Sequence, residues 1–270
     1  MKYSIIIVCY NAGEKLKETI LSVLRQSYKN FEIIIKDAKS SDGSLNAIPN
    51  DERIRIFSNY DAGIYDGMNK AIEYITGDYV LFLNCGDSFY SNDVLKTLSK
   101  KILLEGDLNS LYFCDVYDQA RKGFRLYPSK LNTYFLATRS ICHQSIFFPS
   151  AWCKQEKYDL SYKVVSDFDY YMRFRFKTNY RMDHVNLVAV NYEGNGASET
   201  SKNIRLTLKE KRKVNKTYLP PKEYSKMVFK KIITLRYLKE FIGTITFTRK
   251  IYNFFSKVFI KKQVGTEKTQ

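Results

Sequence analysis

"YSIIIVCYN", residues 3–11, is an almost unbroken run of apolar, mostly β-branched residues that stops at a polar turn. A strand with one wet face alternates apolar and polar residues; one that does not alternate is buried on both faces, as central strands of parallel sheets are. Working outward, "GEKLKETILSVLRQS" (13–27) places Leu16, Ile20, Val23 and Leu24 at helical spacing, and "FEIIIKDAKSSDGS" (31–44) is a second buried strand running into a loop. "IRIFSN" (54–59), "IYDGMNKAIEYI" (64–75) and "DYVLFLN" (78–84) then read as strand, helix and strand. Parallel neighbours need crossover connections, so this order predicts an α/β fold: a twisted, mostly parallel sheet with helices on both faces. Between about 110 and 200, "SLYFCDVYD", "SICHQSIFFP" and "LVAVNYEG" read as further strands around a helix at "SDFDYYMRFRF" (166–176).

The bulk properties set bounds. The 270 residues, 44% of them hydrophobic, suffice for one large domain and an appendage. The charge is divided unevenly. Residues 201–270 hold 19 Lys and Arg against 4 acidic residues, whereas residues 1–200 hold 25 against 24. The expected organisation is therefore a neutral domain over 1–200 and a basic tail over 201–270. Cys9, Cys85, Cys114, Cys142 and Cys153 are odd in number and show no C-x-x-C spacing, which points to reduced thiols rather than disulfides or zinc. His143 and His184 are the two histidines, too few for a His-rich metal centre. No secretory leader and no run of 18 apolar residues is recognisable, so the expected location is cytoplasmic.

In open parallel sheets ligands bind beyond the carboxyl ends of the strands. Four polar segments end there: Cys9-Tyr10-Asn11, Asp37 to Ser44, Asn59 to Tyr65, and Asn84 to Asp87. Each has two readings. Asp37 either accepts hydrogen bonds from a ligand or shapes its loop, and Asp42 with Ser44 either meets a ligand or starts the next helix. "DAGIYDGMNKAI" (61–72) either presents helix N–H groups and Lys70 to a diphosphate or is a capped helix with a solvated lysine. Asp87 either holds a hard cation, which often takes only one or two protein oxygens, or belongs to a surface loop. Asp167 and Asp169 stand two apart on a helix and cannot face one site, so one is free for catalysis while the other caps the helix or pairs with Arg173. His143 precedes an apolar strand and is either structural or part of the site.

Together these segments resemble inverting family 2 glycosyltransferases, with the nucleotide-binding α/β (GT-A) fold those enzymes share. "SIIIVCYN" matches the family's opening strand, "DAKSSDGS" its Asp…Ser-x-Asp-Gly loop, and "SDFDYYMRFR" its Asp-Tyr-Asp…Arg helix. "DAGIYDGMNKAI" and "FLNCGD" are similar to strings of a bacterial branch that builds surface polysaccharides, and "YEGNGAS" to a Gly-Gly-x-Ser loop. Where the family carries Asp-x-Asp, this chain has Asn84-Cys85-Gly86-Asp87 and keeps the last carboxylate alone. The resemblance implies a nucleotide-sugar site of Cys9, Tyr10, Asn11, Asp37, Asp61, Asp66, Met68, Asn69, Lys70, Asn84 and Asp87. It further implies Mn²⁺ or Mg²⁺ on Asp87, Asp167 as catalytic base, and His143, Gln144 and Arg173 on the acceptor side or behind it. The implied partners are a UDP-sugar donor and a lipid-linked saccharide acceptor.

The tail carries two basic amphipathic stripes: Val228, Ile232, Leu235, Leu238 and Ile242, then Ile251, Phe254, Phe255 and Val258. Basic charge beside apolar helix faces suits the anionic inner face of a cell membrane; the stripes alternatively pack on the body or on a second subunit. A nucleic-acid-binding module would use the tail's charge but shows no zinc-finger, RNA-recognition or zipper pattern. A nucleotidylyltransferase would carry a Gly-rich, basic phosphate loop where this chain has "CYNAGEKL". A catalytically silent sugar-nucleotide binder is the remaining rival, because of the reduced metal motif.

Overall fold

The computed structural model describes residues 1–194 and 203–234. Leu235, Leu238, Ile242, the second stripe and Asn195 to Ser198 of the "YEGNGAS" loop lie outside the described residues.

The apolar runs form β1 (Tyr3–Cys9), β2 (Phe31–Asp37), β3 (Ile54–Ser58) and β4 (Tyr79–Phe82), ordered β3-β2-β1-β4 and mutually parallel. Every residue of β2 is buried. Alternate side chains serve opposite faces, as the two-residue period of a strand requires. Ile5, Ile7, Ile33 and Ile35 join the core under α1 (Glu14–Leu24) and α3 (Val94–Glu105); Ile6 and Ile34 join the core under α2 (Ile64–Ala71).

Beyond β4 the sheet becomes mixed. It continues through β8 (Ile146–Pro149) and β6 (Leu111–Asp118), antiparallel to β4 and β8 in turn, then β9 (Met182–Tyr192), parallel to β6. The short β5 (Ser88–Phe89) and β7 (Gly123–Arg125) pair with β9 and β6. The expected α/β architecture is thus present, its parallel order confined mainly to the first half. Helices α4 (Thr133–Thr138), α5 (Ser150–Gln155) and α6 (Ser166–Lys177) complete the body.

The first helix of the basic segment, α7 (Ile204–Tyr218), is packed into this body. Glu210 accepts from the N–H groups of Lys163 (2.9 Å) and Val164 (3.1 Å), Asn215 donates to the Ala137 carbonyl, and Val214 is fully buried. The packed unit therefore runs past residue 200, because the apolar stripe of α7 is covered by α6. On α8 (Pro221–Ile233), in contrast, Phe229, Ile232 and Ile233 are exposed. No helix among the described residues is long and apolar enough to cross a membrane.

Candidate active site

The carboxyl ends of β1, β2, β3 and β4 surround a cleft of about 620 Å³. Cys9, Tyr10, Asp61 and Asn84 line it, together with Tyr60 and Cys85, which the sequence reading did not single out. Tyr10 is 67% exposed at the rim. Asn11 beside it adopts the left-handed conformation (φ 47°) that Asn tolerates, and it ties the end of β1 to the neighbouring loop. Its N–H donates to Ser40 Oγ and its Oδ1 accepts from the Ser41 N–H.

Asp37 is wholly buried and shapes this wall rather than lining it. Both of its oxygens accept from the Ser40 N–H and Oδ2 accepts from Ser58 Oγ (2.6 Å). Burial alone would raise its pKa, but these hydrogen bonds outweigh it and hold the carboxyl below the usual range. Asp42 has taken the structural alternative: it accepts from the Gly13 N–H, at the start of α1, and from the Ser44 N–H.

The string 61–72 divides. Asp61 faces the cleft, while Asp66 accepts from the Ala62 N–H and pairs with Lys70 at 2.9 Å. Lys70 also donates to the Tyr60 carbonyl. Met68 and Asn69 are corrections to the expected ligand set. Met68 is fully buried in the core beside Ala71 and Ile72, on the inner stripe of the helix. Asn69 uses its amide on the Tyr158 backbone, accepting from the N–H at 2.7 Å and donating to the carbonyl at 2.9 Å.

Asp87 is 3% exposed. Its Oδ1 accepts from the Glu193 N–H (2.8 Å) and its Oδ2 from Gln144 Nε2 (2.9 Å). Desolvation dominates these bonds and pushes its pKa up to about 6. Thr19 of α1 braces the turn, donating to the Asp87 carbonyl and accepting from the Gly86 N–H. Gly86 is required there: its φ is +94°, and a Cβ would stand 2.3 Å from Glu193 Oε2.

One residue before Gln144, His143 reaches the other carboxylate. Its Nδ1 lies 3.2 Å from Asp167 Oδ2, and its Nε2 lies 3.2 Å from Asn84 Nδ2. With the Asn84 amide donating to Nε2, the imidazole proton belongs on Nδ1 and points at Asp167. Asp167 Oδ1 accepts from Tyr65 Oη (3.3 Å) and from the Phe168 N–H (2.8 Å). Burial would raise the Asp167 pKa, but the hydrogen bonds from His143 and the Phe168 N–H outweigh it, so the carboxyl sits below its ordinary range. Its side chain keeps 24% of its surface exposed, so a reactant can reach it. Asp169 turns away into a structural pairing: Arg173 Nε meets it at 3.0 Å and Tyr218 Oη donates to it. Arg173 also binds Glu156 and the Lys157 carbonyl, so it is a clamp behind α6 rather than an acceptor contact.

The "HQ" turn therefore links two carboxylates of opposite character. One is raised toward neutrality by burial and the other is held ionised by its partners, an arrangement suited to separate roles. Asp87 also fits a hard divalent cation. It is a buried carboxylate with no basic side chain paired to it among the described residues, and the nearby Glu193 adds like charge. Among the described residues there is no group of three or more His, Cys, Asp or Glu that could hold a metal ion.

Lys36, Tyr65 and Glu193 are further residues that the sequence reading did not single out. A lysine after the three isoleucines of "EIIIKD" was a usable signal for the first; the other two act across gaps of about a hundred residues.

Comparisons with known proteins identify the family and the fold. The chain is 32% identical over 177 residues to a PGL/p-HBAD biosynthesis glycosyltransferase of Mycobacterium bovis, covering 63% of this chain and 68% of that one. It is 31% identical over 112 residues to the Escherichia coli UDP-Glc:alpha-D-GlcNAc-diphosphoundecaprenol beta-1,3-glucosyltransferase WfgD, covering 40% of this chain and 44% of that one. In fold it resembles S. aureus TarS 1-349 in complex with UDP-GlcNAc, with a TM-score of 0.65 at 16% identity over 92% of this chain and 80% of that one. The model named "Glycosyl transferase family 2" matches residues 4–163, more than half of the sequence, and the chain belongs to that family.

Proposed function

We propose that this glycosyltransferase inverts configuration at a sugar taken from a UDP-linked donor. The acceptor is a hydroxyl of a lipid-linked saccharide, in the synthesis of a bacterial surface polysaccharide. The observation that carries the reading is the His143-Gln144 turn, which joins a buried Asp87 to an ionised, accessible Asp167 and meets the strand-end cleft through Asn84. The printed name of WfgD, a UDP-glucose enzyme acting on a diphosphoundecaprenol-linked sugar, supports the donor and acceptor classes. The TarS complex with UDP-GlcNAc supports a UDP donor.

In this reading the nucleoside rests against Cys9 and Tyr10, on the wall shaped by Asp37, and the diphosphate runs toward Asn84 and Asp87. Asp167 accepts the proton of the acceptor hydroxyl as that oxygen forms its bond to the anomeric carbon. The bond to the departing UDP oxygen breaks on the opposite face, so one displacement inverts the centre and no covalent enzyme intermediate forms. His143 and the Phe168 N–H keep Asp167 ionised and aimed. A divalent cation, Mn²⁺ or Mg²⁺, would be held by Asp87 and diphosphate oxygens and would supply Lewis-acid stabilisation of the leaving group. The basic helix α8 supports attachment to an anionic membrane surface, since Phe229, Ile232 and Ile233 are exposed on an element that also carries Lys222, Lys226, Lys230 and Lys231.

Calorimetric titration with UDP, with and without Mn²⁺, tests the donor site, and Asp167→Asn tests the base. Wild type should bind UDP more tightly with the cation. Asp167→Asn should keep that affinity and lose about 10²- to 10⁴-fold in transfer. Failure to bind UDP refutes the donor assignment; equal losses of affinity and transfer in the variant refute the role of Asp167.

A further inference from the structure

Lys36 stands in a strand with no exposed residue and is itself 0% exposed. A desolvated ammonium is tolerated only when its protons are met, and it has three. Here they reach the Asp37 carbonyl (2.9 Å), the Asn59 carbonyl (2.6 Å) and Asp61 Oδ2 (3.0 Å). Lys36 thereby pins the end of β2 to the loop that follows β3. Asp61 is held from its other sides as well. Its Oδ1 accepts from the Gly63 N–H, and Gly67 of α2 lies so close that a Cβ there would stand 3.0 Å from Oδ2.

Asp61 is also the carboxylate that lines the cleft. The neighbouring Lys70, which donates to the Tyr60 carbonyl, is committed to Asp66. A bare carboxylate at that place would repel the phosphates of a nucleoside diphosphate through poorly screened, partly buried space.

We propose that Lys36 is a positioning residue that opens the cleft to a nucleoside diphosphate. Its buried ammonium cancels the charge of Asp61 and holds that carboxylate in place, so the wall does not repel the incoming phosphates. The inference rests on the donor-site reading above and adds to it the means by which an acidic wall admits an anion.

The test is UDP titration of wild type, Lys36→Met, Asp61→Asn and the double variant, each checked for folding by circular dichroism. Charge cancellation predicts about tenfold or weaker binding for Lys36→Met and tighter binding for Asp61→Asn, which leaves the ammonium unopposed. The double variant has neither charge, and its affinity should return to within about threefold of wild type. A merely structural lysine predicts a double variant as weak as Lys36→Met, because the Asp37 and Asn59 carbonyls still lack their donor. That result overturns the proposal, as does a Lys36→Met protein that binds like wild type. If Lys36→Met does not fold, Asp61→Asn decides: weaker binding than wild type overturns the proposal and tighter binding supports it. Wild-type protein that binds no UDP overturns the donor-site reading itself, and the Lys36 proposal falls with it.

Discussion

Asp87→Asn tests the electrostatics of the site at the carboxylate that burial raises. Desolvation carries the Asp87 pKa from 3.8 to about 6, against the hydrogen bonds from the Glu193 N–H and Gln144. The folded protein therefore holds this proton more tightly than the unfolded chain does. Stability is greatest in acid, falls as the pH rises from about 4 to about 6, and stays low above that. The difference amounts to about 3 kcal/mol at pH 8 and about half as much at pH 5. Asparagine carries no charge and still accepts from the Glu193 N–H. Turning the Gln144 amide over gives the new N–H an acceptor, and exchanging charged for neutral bonds costs about 1 kcal/mol. The variant should then be about 2 kcal/mol more stable than wild type at pH 8, a rise of about 5 °C in Tm. Urea titrations in EDTA, followed by circular dichroism, should show this gap narrow to well under about 1 kcal/mol at pH 5. Adding Mn²⁺ and UDP should raise the Tm of wild type and leave that of the variant unmoved. A variant less stable than wild type at pH 8, or a gap that ignores pH, refutes the reasoning.

Three further outcomes are expected. His143→Ala removes the partner that holds Asp167 below the usual carboxylate range, so the acid limb of the transfer rate should move to higher pH; an unmoved limb would separate His143 from the base. Glu210→Ala strands the buried N–H of Val164 and the part-buried N–H of Lys163 and should cost about 2 kcal/mol in urea unfolding, with Glu210→Gln recovering part of it. A loss under about 1 kcal/mol would mean that α7 docks by other contacts. Phe229→Ser with Ile232→Ser and Ile233→Ser should weaken binding to anionic vesicles about a hundredfold, at roughly 1 kcal/mol per half-buried side chain. Unchanged vesicle binding, or a shift in oligomeric state instead, would assign that face to protein contact.

The parallel half of the sheet could be read from the sequence because each of its strands is an apolar run bounded by a helix or a turn. The second half was harder: β5 and β7 span two and three residues, too short to carry a pattern, and α7 shows an amphipathic stripe that does not say what covers it. That Asp167 and Asp169 face different surroundings followed from their helical spacing; which of them is the base came from the family resemblance. The core place of Met68 was missed, because a distinctive string drew it into the site although its spacing from Ala71 and Ile72 marks a core stripe. Lys36, Tyr65 and Glu193 act through contacts that exist only after folding brings strand ends together.

The order of the chain around the site has a consequence for how such an enzyme diversifies. The cleft is built from residues 8–85, all in or beside the parallel strands, whereas His143, Gln144 and Asp167 come from the antiparallel side. One half can drift, recombine or be grafted while the other keeps its geometry, provided the His143-Gln144 turn still meets Asn84 and Asp87. That seam is where a chimera with a relative should be cut.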